Sequence, residues 1–268
     1  MDPTRDLRLA LDLADAADAV TVPHFRSAGL QVEVKPDSSP VTDADRAAEQ
    51  AMRALLARER SGDGVLGEEF GAIPAGERRW ILDPIDGTAN YLRGIPVWGT
   101  LIALEQAGEV VVGVVSAPLL GRRWWASRGG GAWGDGRALR VSGVARLADA
   151  QLSYSSQVTF EAFGYGPQGL ALSRRCWRTR GFGDFWSHVM VAEGAVDLAL
   201  DPVVKVWDLA ALQVIVEEAG GRFTDFLGAT RIDGGNGMSS NGLVHDEALA
   251  ILNDPDPQVP PGLGGVVA

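Results

Sequence analysis

One stretch, Asp83-Pro84-Ile85-Asp86-Gly87-Thr88-Ala89-Asn90-Tyr91, restricts the fold more than any other part of the chain. The segment before it, Arg79-Trp80-Ile81-Leu82, reads as a buried strand, and Gly87-Thr88 suit a tight turn that opens a helix. Strand, acidic corner and helix start thus follow one another within about a dozen residues, which points to a mixed α/β architecture. Carboxylates at a strand end suit hard cations, and free backbone N–H groups at a helix start suit phosphate. A cation seat beside an anion seat is what metal-assisted phosphoryl chemistry requires. Taken alone, Asp-Pro and Asp-Gly are also ordinary turn signals, and the two acids read equally well as solvated caps.

Three further pieces accompany it: Val41-Thr42-Asp43-Ala44-Asp45, Gly67-Glu68-Glu69 after Val65-Leu66, and Val206-Trp207-Asp208-Leu209-Ala210-Ala211. Together the four resemble the signature set of the inositol monophosphatase-like superfamily, and the likeness covers nearly the whole chain. Members of that superfamily are Mg-dependent, lithium-sensitive phosphomonoesterases, with fructose-1,6-bisphosphatases among them. Within it the chain looks most like histidinol-phosphate phosphatases of actinobacterial type. That closer likeness rests on the segment from Gly62 to Gly71, on Arg122-Arg123-Trp124-Trp125-Ala126, on Gly183-Asp184-Phe185, and on the segment from Val191 to Asp197. The resemblance implies a layered αβαβα sandwich, an α/β (α+β) fold of the inositol monophosphatase and fructose-1,6-bisphosphatase kind.

Position by position, the resemblance implies cation ligands at Glu68, Asp83, Asp86 and Asp208, with the backbone carbonyl of Ile85. Asp45 and Thr88 are implied to orient and deprotonate the attacking water, with Glu68 assisting. The amides of Gly87 and Thr88 would hold phosphate oxygens, with Asp86 and Asp208 also facing substrate. The implied chemistry is direct hydrolysis by a metal-activated water, with no covalent phosphoenzyme. All the donors are oxygen, and none of His24, His188 and His245 stands at a zinc-like spacing, so Mg²⁺ is expected, with Mn²⁺ a substitute. Two or three ions per site, and lithium inhibition by competition at the second, follow from the resemblance. Lys35 sits where many relatives carry a lysine, and reads equally as a surface residue beside Pro36.

Composition limits the alternatives. Hydrophobic residues make up 46% of the 268, enough for a core, and no run approaches the length of a membrane span. Net charge is -11, which repels a nucleic-acid backbone. The single cysteine, Cys176, cannot form an internal disulfide, so a reducing, cytoplasmic location is expected, and Cys176 reads as a buried structural thiol.

Along the chain, helices are predicted from the start of the chain to about Val20, with Asp2 as cap, over 44–60 with Thr42 as cap, and over 183–192, 208–219 and 245–252. Strands are predicted at 65–66, 80–82, 98–104, 110–116, 151–155, 195–200, 222–225 and 240–243. Gly129-Gly130-Gly131 reads as a hairpin turn between Trp124-Trp125 and Trp133, because it lacks the lysine and helix of a phosphate-binding loop. The change of pattern near residue 145 divides the chain into an α+β lobe, 1–145, and an α/β lobe, 146–268, the latter carrying Asp208.

The resemblance implies a small phosphate monoester as substrate. Histidinol phosphate carries an ammonium and an imidazole, and so calls for acids beside the pocket. Asp184 stands where inositol-type relatives usually have a small or hydroxyl residue, and Asp201, seven before Asp208, matches an acidic substrate-contact position of the family. Read without the resemblance, Asp184 is a helix cap and Asp201 a turn residue before Pro202. Trp98 and Trp186 suit a pocket wall or the core, and Arg180 an ion pair. The alternatives are an inositol-1-phosphate or broad sugar-phosphate phosphatase, and a non-catalytic metal-binding scaffold. The scaffold is disfavoured because Asp45, Glu68, Asp83, Asp86, Thr88 and Asp208 are all present. A homodimer is implied by resemblance.

Overall fold

The computed structural model describes residues 3–27, 29–34, 40–74 and 76–260. In chain order the helices are α1 (Pro3–His24), α2 (Asp43–Glu59), α3 (Thr88–Arg93), α4 (Gln157–Ala162), α5 (Gly166–Arg175), α6 (Asp184–Ala192), α7 (Val206–Glu218) and α8 (His245–Leu252). The strands begin with β1 (Val32–Val34), β2 (Pro40–Thr42), β3 (Gly64–Gly67), β4 (Gly71–Ile73), β5 (Arg78–Asp86), β6 (Gly99–Gln106) and β7 (Glu109–Ala117). They continue with β8 (Arg122–Ser127), β9 (Gly131–Gly134), β10 (Arg137–Ala138), β11 (Gln151–Tyr154), β12 (Arg178–Arg180), β13 (Leu198–Asp201), β14 (Arg222–Thr224) and β15 (Gly237–Ser240). Asp2, expected to cap α1, lies outside the described residues.

Two compact units emerge, residues 1–138 with 206–218, and residues 139–205 with 219–268. The first holds a mixed sheet in the order β10-β9-β8-β7-β6-β5-β3-β4, antiparallel except where β3 runs parallel to β5, and a small β1-β2 pair. On the sheet, Trp80, Leu82, Ile102, Leu104, Val112 and Val114 pack with Leu9 and Leu13 of α1 and with Ala48, Met52 and Leu56 of α2. The second unit holds the sheet β12-β11-β13-β15-β14, in which β11 runs parallel to both neighbours and β15 antiparallel to both of its own. Its core joins Leu152, Leu198, Leu200 and Met238 of the sheet to Phe160, Leu172 and Ile251 of the helices. Mixed sheets flanked by helices are the expected α/β class.

The expected lobe boundary moves in one respect that bears on the site. Asp208 and its helix belong to the first unit, not the second. Close packing explains it: a Cβ on Gly113 of β7 would lie 2.6 Å from the Ala211 carbonyl oxygen, so α7 seats directly on bare backbone. At its far end Glu218 accepts the N–H groups of Gly129 (3.0 Å) and Gly131 (2.9 Å). The glycine triplet is thus a hairpin turn, as expected, whose amides hold the protein's own carboxylate. Leu209 to Val216 are all buried, matching a helix apolar nearly all round.

Candidate active site

β5 does not end at Leu82, as the sequence predicted, but continues to Asp86. It pairs with β6 through Asp83↔Leu101 and Asp86↔Gly99, with a shift of register between them. Pro84 has no N–H to give the ladder and sits in this irregularity, where proline is tolerated. Thr100 of β6 restores a bond there by donating its hydroxyl to the Pro84 carbonyl at 2.8 Å. Two acids that strict alternation would put on opposite faces of a strand are thereby drawn together. Ile85, between them, buries its side chain against Ala44, Tyr91 and Trp98. Gly87 follows at φ 84, the left-handed conformation glycine permits, and turns the chain into α3.

Asp83, Asp86 and Asp208 each offer a carboxylate oxygen, and these three atoms lie within 4.8 Å of one another. Asp83 is buried, and its Oδ1 has no hydrogen-bond partner among the described residues. Burial, and then the negative charges of Glu68, Asp86, Asp208 and Asp45 in that order, push the Asp83 carboxyl well above the usual carboxylate range. A buried carboxylate facing four like charges is costly to ionise without a compensating positive charge. The donors are all hard oxygens, so the group that fits is a divalent cation of the Mg²⁺ or Mn²⁺ kind. Glu68 follows β3, and its N–H donates to Leu82 O at 3.2 Å, which sets it beside the strand that carries Asp83.

Asp45 approaches from α2. Its Oδ2 accepts the N–H and the hydroxyl of Thr42, at 2.8 and 2.5 Å, closing a capping box. Its Oδ1 lies 3.3 Å from the Thr88 hydroxyl, which also reaches the Ile85 carbonyl at 2.9 Å. A hydroxyl has one proton, so when Thr88 donates to one of these acceptors its lone pairs remain for a donor from outside, such as water. Asp43, two residues before Asp45, is partly exposed and accepts the Gln31 N–H at 3.2 Å. Lys35 lies outside the described residues.

The second unit brings together the two acids assigned to specificity. Asp184 is not a helix cap: Gly183 holds that place, and Asp184 is the first helical residue, with φ 49. Burial, then the charge of Asp201, raise its carboxyl to about 6. Asp201 is not a turn residue. It ends β13, is buried, and accepts His188 Nε2 at 2.9 Å, while His188 Nδ1 meets the Ser239 hydroxyl at 2.7 Å. Trp98 is fully buried against Tyr91, with ring centroids 4.9 Å apart, and Trp186 packs on Phe182. Arg180 donates to its neighbour Thr179 O. Cys176 is a buried free thiol pushed up to about 12 by burial, as a structural cysteine should be.

Sequence reasoning missed Thr100 and Glu49. Thr100 carries no local signal, because its role depends on which strand pairs with β5. Glu49 did carry one: it is a charged residue on the inward stripe of α2, one turn after Asp45.

A bulged strand, a left-handed glycine and three acids that could hold a cation thus meet in one place, and the chain belongs to the inositol monophosphatase family, whose sequence profile matches residues 2–253. Its fold is similar to that of Thermotoga maritima IMPase, with a TM-score of 0.84 at 33% identity over 93% of this chain and 97% of that one. The sequence is 53% identical to the histidinol-phosphatase of Streptomyces coelicolor, covering 92% of this chain and 97% of that protein. It is equally 53% identical to the histidinol-phosphatase of Mycobacterium tuberculosis, covering 92% and 98%.

Proposed function

We propose that this chain hydrolyses L-histidinol phosphate to L-histidinol and inorganic phosphate, a step of histidine biosynthesis. The observation that carries the phosphatase chemistry is the unpartnered, buried Oδ1 of Asp83 at the centre of an acidic cluster. The likeness to two histidinol-phosphatases at 53% identity supports the substrate, and so do Asp184 and Asp201, two acids suited to an ammonium and an imidazole.

In this reading Glu68, Asp83, Asp86, Asp208 and the Ile85 carbonyl hold the ions, with Mg²⁺ the natural occupant. When bound, divalent ions lower the pKa of water and offset charge on the phosphate and the leaving oxygen. Thr88 and Asp45 orient the attacking water: the Thr88 hydroxyl donates its hydrogen bond to an acceptor within the protein, and its oxygen accepts a hydrogen bond from the water. Glu68 assists as a base. The amides of Gly87 and Thr88 face the phosphate oxygens, where a helix start favours an anion. The water gives a proton to the base, a bond forms from its oxygen to phosphorus, the ester P–O bond breaks, and the departing alkoxide takes a proton from solvent. The reading includes a homodimer and a cytoplasmic location, the latter supported by the buried, unpaired Cys176. Among the described residues no helix is long and apolar enough to cross a membrane.

The deciding experiment is phosphate release by the purified chain with Mg²⁺, comparing histidinol phosphate with inositol 1-phosphate at equal concentration. Histidinol phosphate should lead in kcat/KM, and Asp83→Asn should cost more than about 100-fold while leaving the chain folded. A lead for inositol 1-phosphate sinks the substrate assignment. Activity of Asp83→Asn within tenfold of wild type sinks the cation site.

A further inference from the structure

α2 carries two carboxylates one turn apart, Asp45 and Glu49, and neither exposes any surface. Asp45 points its Oδ1 toward Thr88, whereas Glu49 accepts from two amides of the loop after β3 and from Arg53 of its own helix. Its Oε2 accepts the Glu69 N–H at 2.7 Å, and its Oε1 accepts the Phe70 N–H at 3.3 Å and Arg53 Nε at 2.7 Å. On the other side of Glu68, Gly67 leaves room for the same group: a Cβ there would lie 2.0 Å from Glu49 Oε1. Both neighbours of Glu68 are therefore fitted to one carboxylate, Gly67 by having no side chain and Glu69 by its amide. Glu68 itself is tied to β5 through its N–H on Leu82 O. Its backbone is fixed from α2 and from β5 at once.

We propose that Glu49 is a positioning residue for the reaction: through the loop from Gly67 to Phe70 it sets where the Glu68 carboxylate stands relative to Asp83. This rests on the reading of Glu68 as a cation ligand. One turn of α2 then registers two separate parts of the site, the Thr88 pair through Asp45 and the Glu68 loop through Glu49. A buried carboxylate is an expensive way to anchor a turn when an apolar side chain would fill the same space. The cost is justified when the loop must be held to within a fraction of an ångström, as ion ligands must.

The test uses the full chain and two variants that disturb the same contact from opposite sides, Glu49→Gln and Gly67→Ala. Mn²⁺ affinity of the free protein is read by calorimetry, the half-activating Mg²⁺ concentration by phosphate release, and stability by Tm. Each variant should weaken Mn²⁺ binding and raise half-activation by about tenfold or more. At saturating Mg²⁺ the KM for histidinol phosphate should stay within about twofold, and the double variant should be no worse than the worse single, since both act through one contact. A merely structural anchor would lower Tm and leave Mn²⁺ affinity within twofold of wild type, and that result overturns the proposal. Should Glu49→Gln not fold, Gly67→Ala and Glu49→Asp are judged by the same criterion. Asp83→Asn, titrated alongside, separates the two readings. Wild-type Mn²⁺ affinity there defeats the cation site itself, whereas loss there with Glu49→Gln unaffected defeats only the positioning role.

Discussion

Asp184 sits in a backbone conformation that side-chain-bearing residues seldom adopt, at the first position of α6, with a carboxyl raised to about 6 from the ordinary 3.8. Burial is the first cause and Asp201 the second. Raised acids cost stability once ionised: between pH 4 and 6 the unfolded chain releases this proton while the folded chain keeps it, so stability falls as pH rises through that window. Asp184→Asn removes the effect. Its melting temperature should match wild type near pH 4 and exceed it above pH 6, by the equivalent of about 2 kcal/mol. A constant difference between the two proteins across that range would exclude ionisation of Asp184 as the cause. His245 behaves oppositely: burial first, then the charge of Arg222, lower it to about 4, so its contribution disappears as pH falls from 6.5 towards 4. At this scale the short motifs singled out Asp83, Asp86 and Asp208, and the fold brings one carboxylate oxygen of each within 4.8 Å of the others. Glu49 was only half legible: its place on the inward stripe of α2 marks it as unusual, but its partners are set only when the loop from Gly67 to Phe70 folds back on it.

The element that matters most is α7. It lies on β7 with no side chain between them at Gly113, and Gly113→Ala would push a methyl to within 2.6 Å of the Ala211 carbonyl and of Val214 Cγ1. This substitution should cost about 1–3 kcal/mol in urea unfolding. It should also weaken Mg²⁺ activation, because the displaced helix carries Asp208. If it costs stability alone, α7 has slack that the close contact argues against. Helical elements with a clear stripe and stop signals were readable to within a residue or two, α2 with its Thr42 cap and α8 among them. The segment containing α4 and α5 was not read as helical at all: Gly164, Gly166 and Gly169 mask the periodicity there, and the helices form because Gly169 lets α5 pack onto the Phe160 ring. β5 runs four residues past its predicted end at Leu82 because pairing with β6 overrides the turn preference of Asp-Pro.

The molecule as a whole carries a net charge of -11, and its most tightly grouped acids face one another around Asp83. A divalent ion that binds only the folded chain relieves that repulsion. Mg²⁺ at 100 times its Kd should therefore add about 2.7 kcal/mol of stability. Scanning calorimetry should show Tm rising with Mg²⁺ and falling back with EDTA, and the rise should vanish in Asp83→Asn. An unchanged Tm across a Mg²⁺ titration would contradict the cation seat. The α/β class was legible from the alternation of elements, but the partition was not. The change of pattern read near residue 145 falls a few residues inside the second unit, which begins at Leu139, and carries no sign that a later helix rejoins the first. That return has a consequence for biogenesis. The chain lays down Asp83 and Asp86, then the whole stretch 139–205, and only afterwards the helix that supplies Asp208. On the ribosome, a nascent chain thus displays two of the three acids long before the third is translated, so an ion that needs all three would be captured only late in synthesis, once the chain has returned to its own first half.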